Sequence, residues 1–377
     1  MTQAPRLAGL DLFRGLAVAG MILVNTPGSW NYVWWPLDHA PWHGFTPTDL
    51  VFPAFLFAVG TALALSFPRR IDAKVWTRIV RRSLSLVAIG WAFQFVVRPE
   101  LATFRVFGVL PRIGLCYALG AGFAILTARR DADGRAHLRP LVILGTAAGL
   151  LLLYAALLLC VPVPGHGAGD LSPEGNLAGW VDRMTVGTAH MWHQGTDAAG
   201  NVVYDPEGLL STLGALANVL FGMLAAIVWR RAPGRAVVWI ALGGVLLAAI
   251  GLALTPVLPL NKRLWTSSFA LYTSGLSALI LALCMVASSR AALRPFLAPF
   301  RVFGMNAILG YVLSLILGIA GFKLFVHGTA LQDLCFEWLH GVVGDPYVAS
   351  FTYAVAVVLI VLAALIPLHR RGIHLRL

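Results

Sequence analysis

The residues best suited to proton-transfer chemistry lie in one short run, LDHAPWHGFTPTDLVFPAF. It contains His39, Trp42, His43 and Asp49, and it continues into an apolar segment interrupted by Pro53. Histidine is the side chain whose ordinary pKa allows proton exchange near neutral pH. His39 therefore stands where apolar protein meets water, and we predict that it takes part in transfer chemistry. The alternative is a structural histidine that only donates hydrogen bonds.

Histidine pairs could also indicate a metal site, and this chain has two such pairs. His39 and His43 are four residues apart, and His190 and His193 are three apart. Neither pair has a third ligand at a recognisable spacing, and Pro41 opposes a helix that would present the first pair on one face. We therefore predict that the protein uses no metal.

Polar residues in the first apolar segment are the next candidates. Asp11 and Arg14 are three apart, so they share one face of a helix. They form either a structural ion pair near the membrane interface or a contact, through Arg14, for an anionic ligand. Asn25 follows at the other end of the same segment. It either caps the helix or donates a hydrogen bond to a substrate carbonyl.

Further along the chain, Arg112 stands about one turn into an apolar segment, where a permanent charge is costly. Its partner is expected to be anionic, either a carboxylate of the protein or a phosphate of a ligand. Asp205 and Glu207 come just before another apolar segment. They either stabilise a helix N-terminus or bind a polar acceptor molecule.

The composition is that of a polytopic membrane protein. Of the 377 residues, 59% are hydrophobic and only 12% are charged, and the mean hydropathy is +0.80. Apolar runs of about 17 to 25 residues can cross a bilayer as helices. We predict an all-α bundle of about ten transmembrane helices, near residues 9–27, 48–67, 83–98, 107–128, 140–161, 208–229, 236–255, 266–288, 302–322 and 348–368.

The net charge of +12 follows membrane topology and does not indicate nucleic acid. Most basic residues fall in short connections such as RRDADGRAHLR and RRAPGR, which the positive-inside rule places in the cytoplasm. Both termini are then predicted to be cytoplasmic, with the first apolar stretch retained as a helix. Residues 28–47, 162–207 and 323–347 are expected to be outer loops, and 162–207 an ordered cap. We predict one transmembrane domain over residues 1–377.

The motifs of this chain follow an order that resembles one family of membrane enzymes. They are RLAGLDLFRGLAVAGMILVNTPG, HAPWHGFTPTDLVFPAFLF, GVLPRIGLCY, GWVDRMTVGTAHMW, YDPEGLLSTL, LNKRLWTSSFAL and FGMNAILGYV. Together they extend over nearly the whole sequence. The chain resembles the heparan-α-glucosaminide N-acetyltransferase family, within the wider set of transmembrane acyltransferases.

This resemblance implies roles for particular residues. The histidine of the family's H-A-x-W-x-G motif is its proposed catalytic residue, and it corresponds to His39. Asn25 is expected to assist it at the reacting carbonyl. The residues expected to bind the donor are Arg14, Arg112 and Asn306. The residues expected to line the acceptor site are Asp49, Asp182, Arg183, His190, Asp205, Glu207, Asn261, Lys262 and Trp265.

The function implied by the resemblance is acetyl transfer from cytosolic acetyl-CoA to a sugar, expected to be an amino sugar, on the non-cytoplasmic side. His39 would act as general base or, alternatively, as the nucleophile. The competing prediction is a secondary transporter of a small polar or anionic solute, because intramembrane Arg, Asp and Asn also occur in carriers. The expected setting is a bacterial inner membrane, with the lipid bilayer and a glycan acceptor as partners, and the family implies that a homodimer can form.

Overall fold

A computed structural model describes residues 8–373, and thirteen α-helices supply most of the regular structure in that range. They are α1 (Ala8–Asn25), α2 (Val51–Leu65), α3 (Ala73–Val97), α4 (Val109–Leu126), α5 (Pro140–Cys160), α6 (Leu177–Val186), α7 (Thr212–Arg231), α8 (Ala236–Ala253), α9 (Ser267–Ser289), α10 (Arg294–Met305), α11 (Ala307–Lys323), α12 (Leu331–Val343) and α13 (Pro346–Arg370). Two antiparallel hairpins pair β1 (Arg129–Arg130) with β2 (Ala136–His137) and β3 (Phe325–Val326) with β4 (Thr329–Ala330). The predicted placement of the two termini concerns residues outside this range.

The helices confirm an all-α polytopic membrane protein. Within residues 8–373, nine helices are long and apolar enough to cross a membrane, and α10 and α11 pass the same test only as a bent pair. The predicted count of about ten holds if that pair is one span. The prediction of a continuous helix over 302–322 is wrong, because the two helices are bent by 83° where α10 ends. Gly304 and Asn306, both weak helix formers, stand at this break.

The third span is longer than its hydropathy indicates. The prediction began it at residue 83, whereas α3 begins at Ala73. The side chain of Asp72 accepts a hydrogen bond from the backbone N–H of Val75 at 3.0 Å and so caps the helix. The first turns of α3 carry several arginines, which lower the hydropathy but are good helix formers. An apolar pattern alone therefore misses this charged extension.

Within the described range the chain forms two compact units. The first comprises residues 8–40, 46–55 and 280–373, and its core includes the fully buried Phe13, Val18 and Ile22 of α1. Helix α1 packs closely against α10. A side chain at Gly304 would collide with the backbone of Asp11, so the two helices meet at a glycine.

The second unit comprises residues 41–45 and 56–279. In it, α3 packs against α4 and α5 packs against α7. The segment 162–207, predicted to be an ordered cap, contains α6, whose Leu177 and Ala178 are buried with Tyr154 and Leu158 of α5. In this part of the segment α6 packs against α5, and the outer cap stays a prediction. The single domain over residues 1–377 stays a prediction.

Candidate active site

His39 is hydrogen-bonded to a buried carboxylate. Its Nδ1 lies 2.7 Å from Oδ1 of Asp49, and the two side chains are 31% and 1% exposed. A carboxylate only accepts hydrogen bonds, so the ring nitrogen that faces it carries the proton. The lone pair of the neutral imidazole then lies on Nε2. This is the arrangement that a proton-accepting histidine requires.

The turn before α2 fixes the Asp49 carboxylate. Pro47 begins a short 3₁₀-helix, Pro47–Leu50, with Thr46 as its N-cap. The Oδ2 atom of Asp49 accepts hydrogen bonds from the backbone N–H of Thr46 at 3.0 Å and from the N–H of Ala40 at 3.2 Å, and the hydroxyl oxygen of Thr46 lies 3.2 Å from it. The carboxylate therefore cannot rotate without losing several donors, and it holds the imidazole in one orientation.

The backbone around His39 is also held in place. The N–H of His39 donates to Oδ1 of Asp38 at 2.7 Å, and the hydroxyl of Thr46 donates to the Asp38 carbonyl at 2.6 Å. The hydroxyl of Thr48 donates to the carbonyl of Pro36 at 3.0 Å. These local bonds link both ends of the loop, so the His39 ring is presented by a closed turn.

Arg14 and Asn25 lie on α1 in the same unit as His39. A guanidinium nitrogen of Arg14 is 3.9 Å from the carboxylate of Asp11, so the ion pair considered from the sequence is present. Asn25 is exposed at the last residue of the helix. The eleven residues between Arg14 and Asn25 correspond to about 16 Å of helix. The two side chains thus stand at different depths along α1.

In the second unit, Arg105 is surrounded by acidic groups. Its Nε and Nη2 atoms donate to Asp205 at 2.9 and 2.7 Å, and Nη2 also donates to Glu207 at 2.6 Å. The guanidinium carbon lies 6.0 Å from the ring centre of Trp192, whose backbone N–H donates to Asp205 at 2.8 Å. Asp205 and Glu207, predicted to bind an acceptor, are therefore joined to each other through Arg105.

Arg112 is almost fully buried, at 2% exposure, and its two terminal nitrogens donate to groups of the chain itself. Nη1 donates to the carbonyl of Pro206 at 3.0 Å, and Nη2 donates to the carbonyl of Gly208 at 2.6 Å. Nη2 also donates to the hydroxyl of Ser211, and the guanidinium lies over the Trp265 ring at 5.3 Å. The anionic partner expected from the sequence is replaced here by carbonyl groups of the turn before α7.

Asp182, Arg183 and His190 bind neighbouring backbone. Oδ1 of Asp182 accepts the N–H of Leu209 at 2.8 Å, and burial raises the pKa of this carboxyl to about 7. Arg183 donates to the carbonyls of Val203 and Glu174, and burial lowers its pKa. Nδ1 of His190 lies 2.7 Å from the carbonyl of Phe104. These three residues hold α6 and its following loop in place.

The turn between α8 and α9 contains the remaining acceptor candidates. The side chain of Asn261 caps this turn and reaches Nδ1 of His43 at 3.2 Å, and burial lowers the pKa of His43. Lys262 is partly buried beside it. Trp265 is fully buried at a positive φ of 54°, and its indole N–H donates to Asn218.

Comparisons with known proteins show which enzymes the chain is similar to. A family model described as "Heparan-alpha-glucosaminide N-acetyltransferase, catalytic" matches residues 6–148. The human and mouse proteins named heparan-alpha-glucosaminide N-acetyltransferase are each 29% identical to this sequence, over 82% of its length. The chain is therefore similar to heparan-α-glucosaminide N-acetyltransferases over most of its length. The chain spans about half the length of the curated relatives it matches, 52% of the human and 53% of the mouse protein.

The candidate residues of the chain separate into two groups. His39, Asp49, Asn25, Arg14 and Asn306 belong to the first unit, and the other candidates belong to the second. In the described part of the chain, His, Cys, Asp and Glu form no group of three that could hold a metal ion.

Sequence reasoning missed several residues of the second group. Arg105 joins two acidic candidates, Asn218 bonds the indole of Trp265, and Arg263 bonds the hydroxyl of Tyr204. The signal that could have identified Arg105 is charge balance, because a buried acidic pair requires a cation and Arg105 is a basic residue at the edge of a span.

Proposed function

We propose that this protein is a membrane acetyltransferase that moves an acetyl group from acetyl-CoA to the amine of a sugar, with His39 as general base. The proposal rests on one observation, the 2.7 Å hydrogen bond from His39 Nδ1 to the buried Asp49, in a chain whose relatives are named as N-acetyltransferases. A carboxylate on Nδ1 fixes the tautomer of the ring and stabilises the imidazolium that forms during catalysis. Asp49 therefore has a positioning role in place of the substrate contact expected from the sequence.

In the proposed reaction the acetyl group moves directly from the sulfur of CoA to the acceptor nitrogen, through a tetrahedral intermediate. The acceptor nitrogen attacks the thioester carbon while Nε2 of His39 takes a proton from that nitrogen. The carbon–sulfur bond then breaks, and the thiolate of CoA leaves and takes the proton from the imidazolium. Asn25 donates a hydrogen bond to the oxygen of the tetrahedral intermediate, a contribution of roughly 3 kcal/mol in enzymes where it has been measured.

The donor is proposed to enter from the cytoplasmic side. CoA carries several phosphate charges and cannot cross hydrocarbon, whereas the sugar is polar and remains on the opposite side. Arg14 contacts a phosphate, since guanidinium groups pair well with phosphate oxygens. The roughly 16 Å of α1 between Arg14 and Asn25 gives an extended pantetheine arm a path from the phosphates to the thioester.

Residues of the second unit receive a different role in this proposal. The two terminal nitrogens of Arg112 donate to carbonyl groups of the turn before α7, so we assign this residue to holding that turn and not to CoA. Acceptor recognition stays a prediction for Asp182, Arg183, His190, Asp205, Glu207, Asn261, Lys262 and Trp265. A homodimer in a bacterial inner membrane, acting on a glycan of the cell envelope, also belongs to the proposal.

A secondary transporter is the second candidate, and the bent pair α10–α11 favours it, because carriers bind solutes at broken helices. Carriers commonly have such breaks in matching pairs. Residues 8–373 contain one bent pair and no matching second pair, and the lack of a match favours the enzyme over the transporter. Uptake of labelled amino sugar into sealed vesicles, without release of CoA, would support the transporter instead.

The direct test is acetyl transfer by purified protein. Labelled acetyl-CoA and a panel of amino sugars are incubated with the wild type and with His39→Ala, and the labelled sugar is separated and counted. The matched control is His137→Ala, which removes an exposed imidazole that also pairs with a carboxylate, Asp131, at 3.0 Å. Loss of transfer in the first variant alone supports the proposal. Absence of transfer in the wild type with every sugar contradicts it.

The alternative route makes His39 the nucleophile, through an acetyl-imidazole. Rapid quenching of the protein with labelled acetyl-CoA and no acceptor distinguishes the routes. Direct transfer predicts no label on His39, and stoichiometric label that passes to added sugar would establish the covalent route.

A further inference from the structure

Asn306 occupies the break between α10 and α11. The two helices are bent by 83° there, and Asn306 has non-helical dihedral angles, φ −125° and ψ 37°. Its backbone carbonyl accepts the N–H of Gly310 at 2.8 Å and so begins α11. The side chain is buried, at 1% exposure. A polar side chain is therefore enclosed at the one bent span among the described residues.

Neither polar atom of this side chain is satisfied. Oδ1 and Nδ2 of Asn306 are both buried and have no hydrogen-bond partner among the described residues. Leaving such groups unpaired costs free energy, so an orphaned buried amide needs an explanation. Non-helical backbone at membrane depth is tolerated where it lines a cavity or binding site. The bent helix and the unsatisfied side chain are two separate observations that indicate a ligand.

Other buried asparagines of this protein differ from Asn306. Nδ2 of Asn218 donates to Ala270 and Ser274, and its Oδ1 accepts the indole N–H of Trp265. Asn176 donates to two carbonyl groups and accepts the N–H of Gly179. The fold thus satisfies buried asparagines elsewhere, and Asn306 is the exception.

The break lies against the cytoplasmic half of α1 in the proposed orientation. The backbone of Gly304, two residues before Asn306, meets the backbone of Asp11, and Gly310 lies against Val18. Asn306 therefore stands beside the stretch of α1 that contains Arg14. In the proposed enzyme this stretch follows the path of the donor between its phosphates and its thioester.

The chemistry of the side chain selects the kind of ligand. An anion such as phosphate would bind Nδ2 but leave Oδ1 unpaired. A secondary amide brings a C=O for Nδ2 and an N–H for Oδ1, so it satisfies both atoms. We propose that Asn306 binds a secondary amide of the pantetheine arm of the acyl donor. This inference rests on the proposed function, because it takes its ligand from that reaction.

The kinetic test compares two acetyl donors in Asn306→Leu, which keeps the volume of the side chain and removes both polar atoms. With acetyl-CoA, kcat/KM is expected to fall roughly 10- to 100-fold, mainly through KM, because a donor amide is left unpaired. With S-acetyl-2-mercaptoethanol, a thioester without amides, kcat/KM is expected to stay within about twofold of wild type. The matched control is Ser314→Ala on α11, whose buried hydroxyl already donates to the carbonyl of Tyr311.

A binding measurement separates this inference from the proposed function. CoA is expected to raise the melting temperature of the wild type and of Ser314→Ala, and to raise that of Asn306→Leu much less. Without CoA, Asn306→Leu should melt no lower than the wild type, because it loses an unsatisfied polar group. An unchanged KM for acetyl-CoA, or an equal loss with both donors, overturns the amide site. A wild type that is stabilised by CoA but transfers no acetyl group overturns the proposed function and leaves the binding comparison valid.

Discussion

The guanidinium of Arg105 donates two hydrogen bonds to the carboxylate of Asp205, 2.9 Å from Nε and 2.7 Å from Nη2. Burial alone would lower the pKa of Arg105, but Asp205 and Glu207 outweigh it and raise the pKa above its ordinary value. The arginine is therefore charged, and it neutralises two carboxylates that are 3% and 8% exposed. This cluster connects the segment before α4 with the segment before α7.

Arg105→Met should destabilise the protein strongly, because it leaves two buried carboxylates without their cation. Breaking a buried pair in this way costs roughly 3 to 5 kcal/mol. Arg105→Lys should lose less stability than Arg105→Met, since lysine keeps the charge but cannot form the bidentate hydrogen bonds. The measurement is the melting temperature in detergent, with the exposed Arg98→Met as control. Equal melting temperatures for the two methionine variants would contradict the structural role of Arg105.

Asp49→Asn should abolish most of the acetyl transfer while leaving donor binding intact. The asparagine can donate a hydrogen bond to Nδ1, which favours the tautomer that carries its proton on Nε2 and so removes the base. The expected fall in kcat is roughly 10²- to 10⁴-fold, with KM for acetyl-CoA within about threefold of wild type. Wild-type kcat in this variant would show that the pair does not serve proton transfer.

Asp182 should make the stability of the protein depend on pH. Its folded pKa of about 7 lies above the ordinary value of about 3.9, so the folded state binds an extra proton between these values. Stability from this group is complete below about pH 4 and is lost as the pH rises toward 7. Asp182→Asn keeps an acceptor for the N–H of Leu209 and cannot titrate. Its melting temperature should exceed that of the wild type at about pH 8 and approach it at about pH 4. A constant difference would be contrary to the prediction.

Gly304→Leu should disrupt the packing of α10 against α1. Any Cβ at this position meets the backbone of Asp11, which cannot move as freely as a side chain. Overpacking of this kind costs roughly 1 to 3 kcal/mol or more. Gly318→Leu on α11 is the control, because a Cβ there meets nothing within 4 Å. Melting temperatures of the two variants should therefore differ, and a lower value for Gly318→Leu would be inconsistent with this packing.

The sequence predicts the spans because their apolar runs match the thickness of a bilayer. It does not predict the bend at Asn306, since hydropathy records the composition of a segment and not its direction. It also begins α3 too late, because the helix there is charged and capped by Asp72. Membrane crossing is a property of composition, whereas bends and helix starts depend on local backbone geometry.

For the candidate residues too, the sequence predicts the residue type but not the local geometry. His39 is identifiable from its residue type and from the family motif that contains it. Its hydrogen bond with Asp49 depends on a closed turn whose donors are mostly backbone groups. Residue types in the sequence do not show where these backbone groups lie. Arg105 and Arg112 look alike in sequence, yet one binds carboxylates and the other binds carbonyls. The partner of a buried charge is set by the fold.

In the proposed mechanism, His39 is the general base for the transfer of an acetyl group from a donor on one side of the membrane to an acceptor on the other side. The protein is reconstituted in sealed vesicles, and molecules with their cytoplasmic face outward are supplied with labelled acetyl-CoA outside and amino sugar inside. The measurement is the label on the enclosed sugar. We predict that the wild type and His137→Ala acetylate this sugar and that His39→Ala does not. Equal labelling by His39→Ala and the wild type would contradict the account.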